Sequence, residues 1–150
     1  PFGIGAWDDV TGIVPAATST ASTIGSYIGP VVLVRGPNDQ VVFAGAASGG
    51  VAAPAALMQV VITALGGEVP LLGAIAAPRL LHIGTPDQTI AEPSLPEPSM
   101  AGLARRKHSL FKAAPVGFVN GLFCPNGLGR GIGGCTYGTD PRGSGFNLTQ

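Results

Sequence analysis

Charged residues are scarce in this 150-residue sequence, 11% of the total, and its eight basic and eight acidic side chains cancel to a formal net charge of zero. That balance argues against nucleic acid as a partner, because binding it needs a positive stripe that neutralises phosphates. It also leaves no polybasic patch for an anionic membrane. Metal-ligand residues are nearly missing as well. His82 and His108 stand alone, and no Cys/His cluster has zinc-ligand spacing, so no metal and no cofactor is expected. The only two cysteines, Cys124 and Cys135, flank a Gly-rich stretch. They close a disulfide loop in an oxidising compartment or stay as two buried thiols, and the sequence leaves both open. The longest apolar run, Val51 to Leu65, contains Pro54 and Gln59 and is too short to span a bilayer. No positive segment precedes an apolar h-region, so no signal peptide is expected. The start at Pro1-Phe2-Gly3, without Met, is expected to reflect a processed or incomplete N-terminus.

What is abundant is apolar and small. Apolar residues make up 45%, with 24 glycines and 14 prolines in no repeating period. Such a chain has turns and close backbone approaches, and often hides apolar surface against another chain. A single domain over residues 1–150 is expected from the length. Residues 1–14 alternate Gly with apolar residues and read as a strand, and residues 15–24 as a small-residue loop. Val31–Arg35 and Gln40–Ala44 flank Gly36-Pro37-Asn38-Asp39 and predict a hairpin. Val51–Leu65 predicts a helix stopped by Gly66-Gly67, with Pro54 tolerated in its first turn. Its apolar residues cover nearly the whole circumference, so burial on most sides is expected. A short helix over Leu71–Ala76, a strand at Thr89–Ala91, an exposed helix over Pro96–Arg106 and a strand–turn–strand from Val116 to Tyr137 complete the reading. The fold class is α+β, with a mainly antiparallel sheet layered against helices.

The strongest local signal for chemistry is strand QVVFA running through Ala46-Ala47-Ser48-Gly49-Gly50 into the apolar helix. Glycines at a helix N-terminus leave backbone N–H groups unobstructed, and the dipole adds positive potential, which suits an oxyanion or a carboxylate. A plain strand-to-helix turn has the same sequence. Elsewhere, Asp8-Asp9 are adjacent strand residues that face opposite ways. Gly129-Arg130-Gly131-Ile132-Gly133-Gly134 lacks the apolar helix that a dinucleotide loop requires. Asp140 and Arg142 read as a structural ion pair, and Asn147-Leu148-Thr149 is a short glycosylation sequon.

Several of these pieces together resemble the small subunit of gamma-glutamyltranspeptidases. The glycine turn resembles that family's Gly-Ser-Pro-Gly-Gly, Leu57-Met58-Gln59-Val60-Val61 its Leu-Gln-Met-Val-Val helix, and Ala77-Pro78-Arg79 its Ala-Pro-Arg. Pro1–Ile13 is similar to the segment that follows the nucleophile strand. Gly25-Ser26-Tyr27 is similar to the Ser-Ser pair segment, and Tyr137-Gly138-Thr139-Asp140-Pro141-Arg142 to the terminal Gly-x-Ser-Asp-Pro-Arg.

The resemblance implies an N-terminal nucleophile hydrolase with an αββα sandwich. It would cleave amides through an acyl-enzyme on an N-terminal Thr lying upstream of Pro1, that Thr's own amine acting as base. A large subunit cut from the same precursor would be the partner and an amide or peptide-like small molecule the substrate. Gly49 and Gly50 would supply the oxyanion hole, and Ser26, Gly25 and Ser48 would line the acyl site. Two departures bear on substrate. Gly25 replaces the first serine of the pair, removing a hydroxyl from a carboxylate pocket. Pro15–Thr20 stands where the family has Asn-Asn-x-Met-Asp-Asp, so a γ-glutamyl ammonium would lack a charged partner. Hydrolysis or acyl transfer without strict γ-glutamyl specificity is therefore expected, in a periplasmic or secreted setting, with a cytoplasmic one also open. A non-catalytic relative that keeps the fold as a binding subunit, and an unrelated assembly protein, are the other readings.

Overall fold

The hairpin forms where β-branched residues flank a turn that can take left-handed backbone. Gly36 and Asp39 both have positive φ, and the Asp39 N–H donates to the Gly36 carbonyl at 3.3 Å. The computed structural model describes residues 30–113, 115–128 and 133–145. The hairpin strands are β1 (Pro30–Arg35) and β2 (Gln40–Ser48). β2 pairs next with β6 (Phe118–Phe123), and β6 with β7 (Thr136–Gly138), giving a four-stranded antiparallel sheet in the order β1-β2-β6-β7. The strand–turn–strand expected over 116–137 is the β6–β7 pair. The expected strand at residues 1–14 lies outside the described residues.

One face of this sheet makes the core. Phe43, Ala47 and Val119 pack against Ala53, Ala56, Leu57, Val60 and Val61 of α1 (Ala53–Leu65) and against Leu71, Ala74 and Ile75 of α2 (Leu71–Ala76). The expected helix from Val51 is a 3₁₀ turn over Gly50–Ala52 that leads into α1, with Pro54 in its first turn. Gln59 interrupts the apolar helix for a reason the structure supplies. Its side-chain amide donates to the Leu80 carbonyl at 2.7 Å and accepts from the Leu80 N–H at 2.9 Å, extending the edge of β3 (Leu80–His82). The expected burial of the helix on most sides holds, within the described chain, on one side only. Met58 and Ile62 are 59% and 63% exposed, because the described chain offers no layer above them.

A second, three-stranded sheet runs β3-β4-β5, with β4 at Thr89–Ala91 and β5 at Leu110–Lys112. All three strands are three residues long, too short to show alternation, and only β4 is among the strands expected from sequence. β4 and β5 are parallel, unlike every pair in the first sheet, and the crossover such a pair needs is α3 (Glu97–Arg105). On α3, Met100 is buried and Ala101, Gly102 and Leu103 are half-buried, while the remaining residues are exposed as expected. Among the described residues no helix is long and apolar enough to cross a membrane.

Cys124 and Cys135 are joined in a disulfide across 11 residues, just beyond the Phe123–Thr136 strand pair. Closing a loop of this length removes unfolded-state entropy worth about 3 kcal/mol. Changing both cysteines to alanine is therefore expected to lower the urea unfolding midpoint. An unchanged midpoint would mean the β6–β7 loop gains nothing from the bond.

Candidate active site

β2 ends at Ser48, and the chain must turn at once into a helix whose core residues begin at Ala52. Gly49 makes that turn at φ 119, ψ 25, and Gly50 follows at φ 61. A side chain at such a φ is strained. Space is a second constraint, since a Cβ on Gly49 would stand 2.8 Å from the Gly117 Cα. Ser48, Gly49 and Gly50 are all solvent-exposed. Among the described residues neither the Gly49 nor the Gly50 N–H meets an acceptor, while the Gly49 carbonyl is engaged by the Ala52 N–H at 3.3 Å. No acidic side chain sits in the first turn of either the 3₁₀ segment or α1, so neither turn carries its own charge against the positive helix end. Two such donors at a helix N-terminus can hold a developing oxyanion.

Beneath the turn lies a buried ionic network. Arg79 is 1% exposed and donates to the carbonyls of Ile75 (2.6 Å), Gly117 (3.0 Å) and Val116 (3.3 Å) and to Asp140 Oδ2 (2.7 Å). Arg142 bridges the two carboxylates, donating to Glu92 Oε1 at 2.7 Å and Oε2 at 2.5 Å and to Asp140 Oδ1 at 3.1 Å. Glu92 also accepts from the N–H groups of Arg79 and Val116, and Asp140 from those of Val119 and Arg142. The expected Asp140–Arg142 pair is thus present, as half of a larger structure. It ties the chain's end to the Ala77-Pro78-Arg79 corner.

Burial pushes the Glu92 carboxyl upward, but hydrogen bonds from Arg142, Val116 and Arg79 outweigh it and hold it below the usual range. Asp140 is likewise raised by burial and brought lower by the N–H groups of Arg142 and Val119 and by the side chains of Arg79 and Arg142. Hydrogen bonding to Glu92 raises Arg142 further, against a lowering by burial. Both folded carboxylates have depressed values, so their contribution to stability is present above the unfolded-state value of about 4 and fades as pH falls through the folded ones. A melting temperature that is level from pH 8 to about 5 and drops steeply below about 4 is expected, and Glu92→Gln should flatten that drop. A level profile down to pH 2 would contradict the coupling.

Of the residues singled out from sequence, the fold brings Ser48, Gly49 and Gly50 together. Ser26 and Gly25 lie outside the described residues, as do Asp8-Asp9, Gly129–Ile132 and the Asn147 sequon. His82 is an exposed partner of Asp87 at 3.0 Å, far from a nucleophile's role. Among the described residues no group of His, Cys, Asp and Glu could hold a metal. A cleft of about 320 Å³ lined by Glu92, Ser94 and Arg142 offers no free charge, since Glu92 and Arg142 are paired with each other. Gly117 and Glu92 were not legible as site-supporting residues. Their only signals are a glycine before a strand and one acid in a Pro- and Ser-rich segment that also holds Glu97.

Comparison with known proteins bears on this arrangement. The Gamma-glutamyltranspeptidase family profile matches residues 21–149. No curated protein sequence matches. Among solved structures, the chain is similar to a mutant gamma-glutamyltranspeptidase of Helicobacter pylori, with 21% identity, TM-score 0.68, and 95% of this chain covering 77% of that one. It is similar to the gamma-glutamyltranspeptidase of Pseudomonas nitroreducens at 19% identity and TM-score 0.70, covering 99% and 77%. The transpeptidase CapD of Bacillus anthracis matches at 17% identity and TM-score 0.66, covering 99% and 86%. At such identities the likeness to these structures is one of fold.

Proposed function

Because this chain belongs to the gamma-glutamyltranspeptidase family, we propose that it carries the oxyanion side of an amide-bond hydrolase or acyltransferase with an N-terminal nucleophile. The observation that carries the reading is the exposed Ser48-Gly49-Gly50 turn, whose Gly49 and Gly50 N–H groups meet no acceptor among the described residues, at a helix N-terminus with no acidic side chain in its first turn. An N-terminal Thr upstream of this chain attacks the amide carbonyl, and its own α-amino group takes the hydroxyl proton. The carbonyl oxygen becomes the tetrahedral oxyanion, which the Gly49 and Gly50 N–H groups hold. Collapse breaks the C–N bond, the amine leaves with the returned proton, and the acyl group stays as an ester on Thr. Water then releases the acid, or an acceptor amine takes the acyl group. Neither route needs a cofactor.

The chain is read as most of a small subunit that shares an αββα sandwich with a large subunit cut from the same precursor. Exposed Met58 and Ile62 on α1 and exposed Val32 and Val34 on β1 support that partner, since apolar faces of this kind are normally covered. The disulfide supports a periplasmic or secreted setting.

On the acyl side, Ser26 and Ser48 would place the substrate with a hydroxyl missing at Gly25 and no amide or carboxylate in Pro15–Thr20. The mature two-chain enzyme is therefore expected to cleave glutaryl p-nitroanilide at least as well as γ-glutamyl p-nitroanilide, compared by kcat/KM. A clear preference for the γ-glutamyl compound would refute this specificity. The same two departures favour the second reading, a non-catalytic relative, for which neither compound is cleaved.

A further inference from the structure

Gly117 precedes β6 with φ 69 and packs directly beneath the glycine turn. A Cβ on it would stand 2.7 Å from the Ala56 Cβ, 3.3 Å from the Ser48 carbonyl oxygen and 3.4 Å from that of Ala52. Reciprocally, a Cβ on Gly49 would meet the Gly117 Cα at 2.8 Å. The two backbones touch with no room for a side chain between them. From the other side Gly117 is pinned. Its carbonyl accepts from Arg79 at 3.0 Å, the Val116 N–H donates to Glu92 at 2.9 Å, and Arg79 is itself held by Asp140 at 2.7 Å.

We propose that the Val116–Gly117 backbone is the floor that aims the Gly49 and Gly50 N–H groups, with Gly117 as a positioning residue and Arg79 as its anchor. The proposal rests on the oxyanion reading of the turn. Gly117 meets the turn through its backbone, so it acts by fixing where the turn sits. The ionic network then has a task beyond stability. The Val116 N–H donates to Glu92, and Arg79, held by Asp140, donates to the Val116 and Gly117 carbonyls, so the network fixes the peptides that set the direction of two donors. A donor displaced by a fraction of an ångström loses much of its effect on the transition state but little on substrate binding.

The test uses the mature two-chain enzyme and whichever of γ-glutamyl and glutaryl p-nitroanilide it cleaves better. Gly117→Ala is expected to lower kcat at least about thirtyfold with KM within about threefold, as for a misplaced oxyanion donor. Adding Ala56→Gly removes the nearest clashing atom and should recover much of the lost kcat. Gly36→Ala is the control for glycine loss. Gly36 also has positive φ, at 76, but its Cβ would meet nothing within 4 Å, so kcat should not change. If Gly117→Ala does not mature, Arg79→Lys takes its place, keeping the charge opposite Asp140 but not the fork that reaches the Gly117 carbonyl. A lowered kcat at constant KM supports the floor, and an unchanged kcat overturns it. Gly49→Ala separates the two levels. If it abolishes cleavage while Gly117→Ala retains the parent kcat, the positioning role fails and the oxyanion turn stands. If Gly49→Ala cleaves normally, the turn reading fails and the floor with it.

Discussion

Replacing Gly49 by alanine is expected to lower kcat for amide cleavage about 10²–10³-fold, the loss typical of removing one oxyanion donor. Two injuries combine at this position. The backbone sits at φ 119, which a side chain rarely adopts, and the new methyl would overlap the Gly117 Cα at 2.8 Å. The only relief is for the turn to move, and a moved turn no longer points its N–H groups at the reacting carbonyl. Strain of this kind costs about 1–3 kcal/mol of stability, which a folded enzyme can absorb, so the loss should be read in kcat on mature protein. Acyl-enzyme formation, followed by the p-nitroaniline burst, should slow in parallel. A variant that matures and turns over at the parent rate would make this a plain strand-to-helix corner.

Replacing Arg79 by methionine is expected to cost about 3–5 kcal/mol of folding stability, the range for removing one partner of a buried ion pair. The guanidinium is 1% exposed and serves three carbonyls as well as Asp140, so the variant strands the Val116 and Gly117 oxygens together with part of a buried carboxylate, while the Ile75 oxygen keeps Arg142 as a donor at 2.9 Å. Urea denaturation at pH 7 reads the loss. The deficit should shrink toward low pH, because Asp140 without Arg79 takes a proton more readily and the buried charge disappears. Arg35 gives the contrast. Its hydrogen bond to the Pro125 carbonyl, at 2.8 Å, is exposed, so Arg35→Met should cost under about 1 kcal/mol. Equal losses at the two arginines would contradict the network's role.

The residues that were legible in the sequence share a physical trait: their signal is local. Gly36–Asp39 between β-branched runs specified the hairpin, and Gly66-Gly67 specified the end of α1. Ser48-Gly49-Gly50 ahead of an apolar helix specified the donor turn. What stayed hidden depends on contacts distant in the chain. Arg79 stood out only as part of an Ala-Pro-Arg resemblance, and its meaning lies in Asp140, 61 residues on. Glu92 gave no periodic signal, yet it closes the network through Arg142, 50 residues away. The half-exposed state of α1 was hidden for a related reason. An all-apolar helix reads as buried whether its second layer is in the same chain or in another, and Met58 and Ile62 await a layer that the described residues lack. Gly117 was one glycine among 24 until the fold put it against Gly49.

Covalent catalysis at a Thr-initiated chain, with this turn as its oxyanion hole, can be caught by intact-mass spectrometry after acid quench. Native material is mixed with excess glutaryl p-nitroanilide, stopped within the burst and weighed. The expected masses are those of a large chain, and of a small chain that begins with Thr, contains this sequence and is heavier by one glutaryl group, the adduct disappearing when substrate is spent. Material with neither a Thr-initiated chain nor a large partner, or a mature pair that cleaves the amide with no adduct on the small chain, would contradict it.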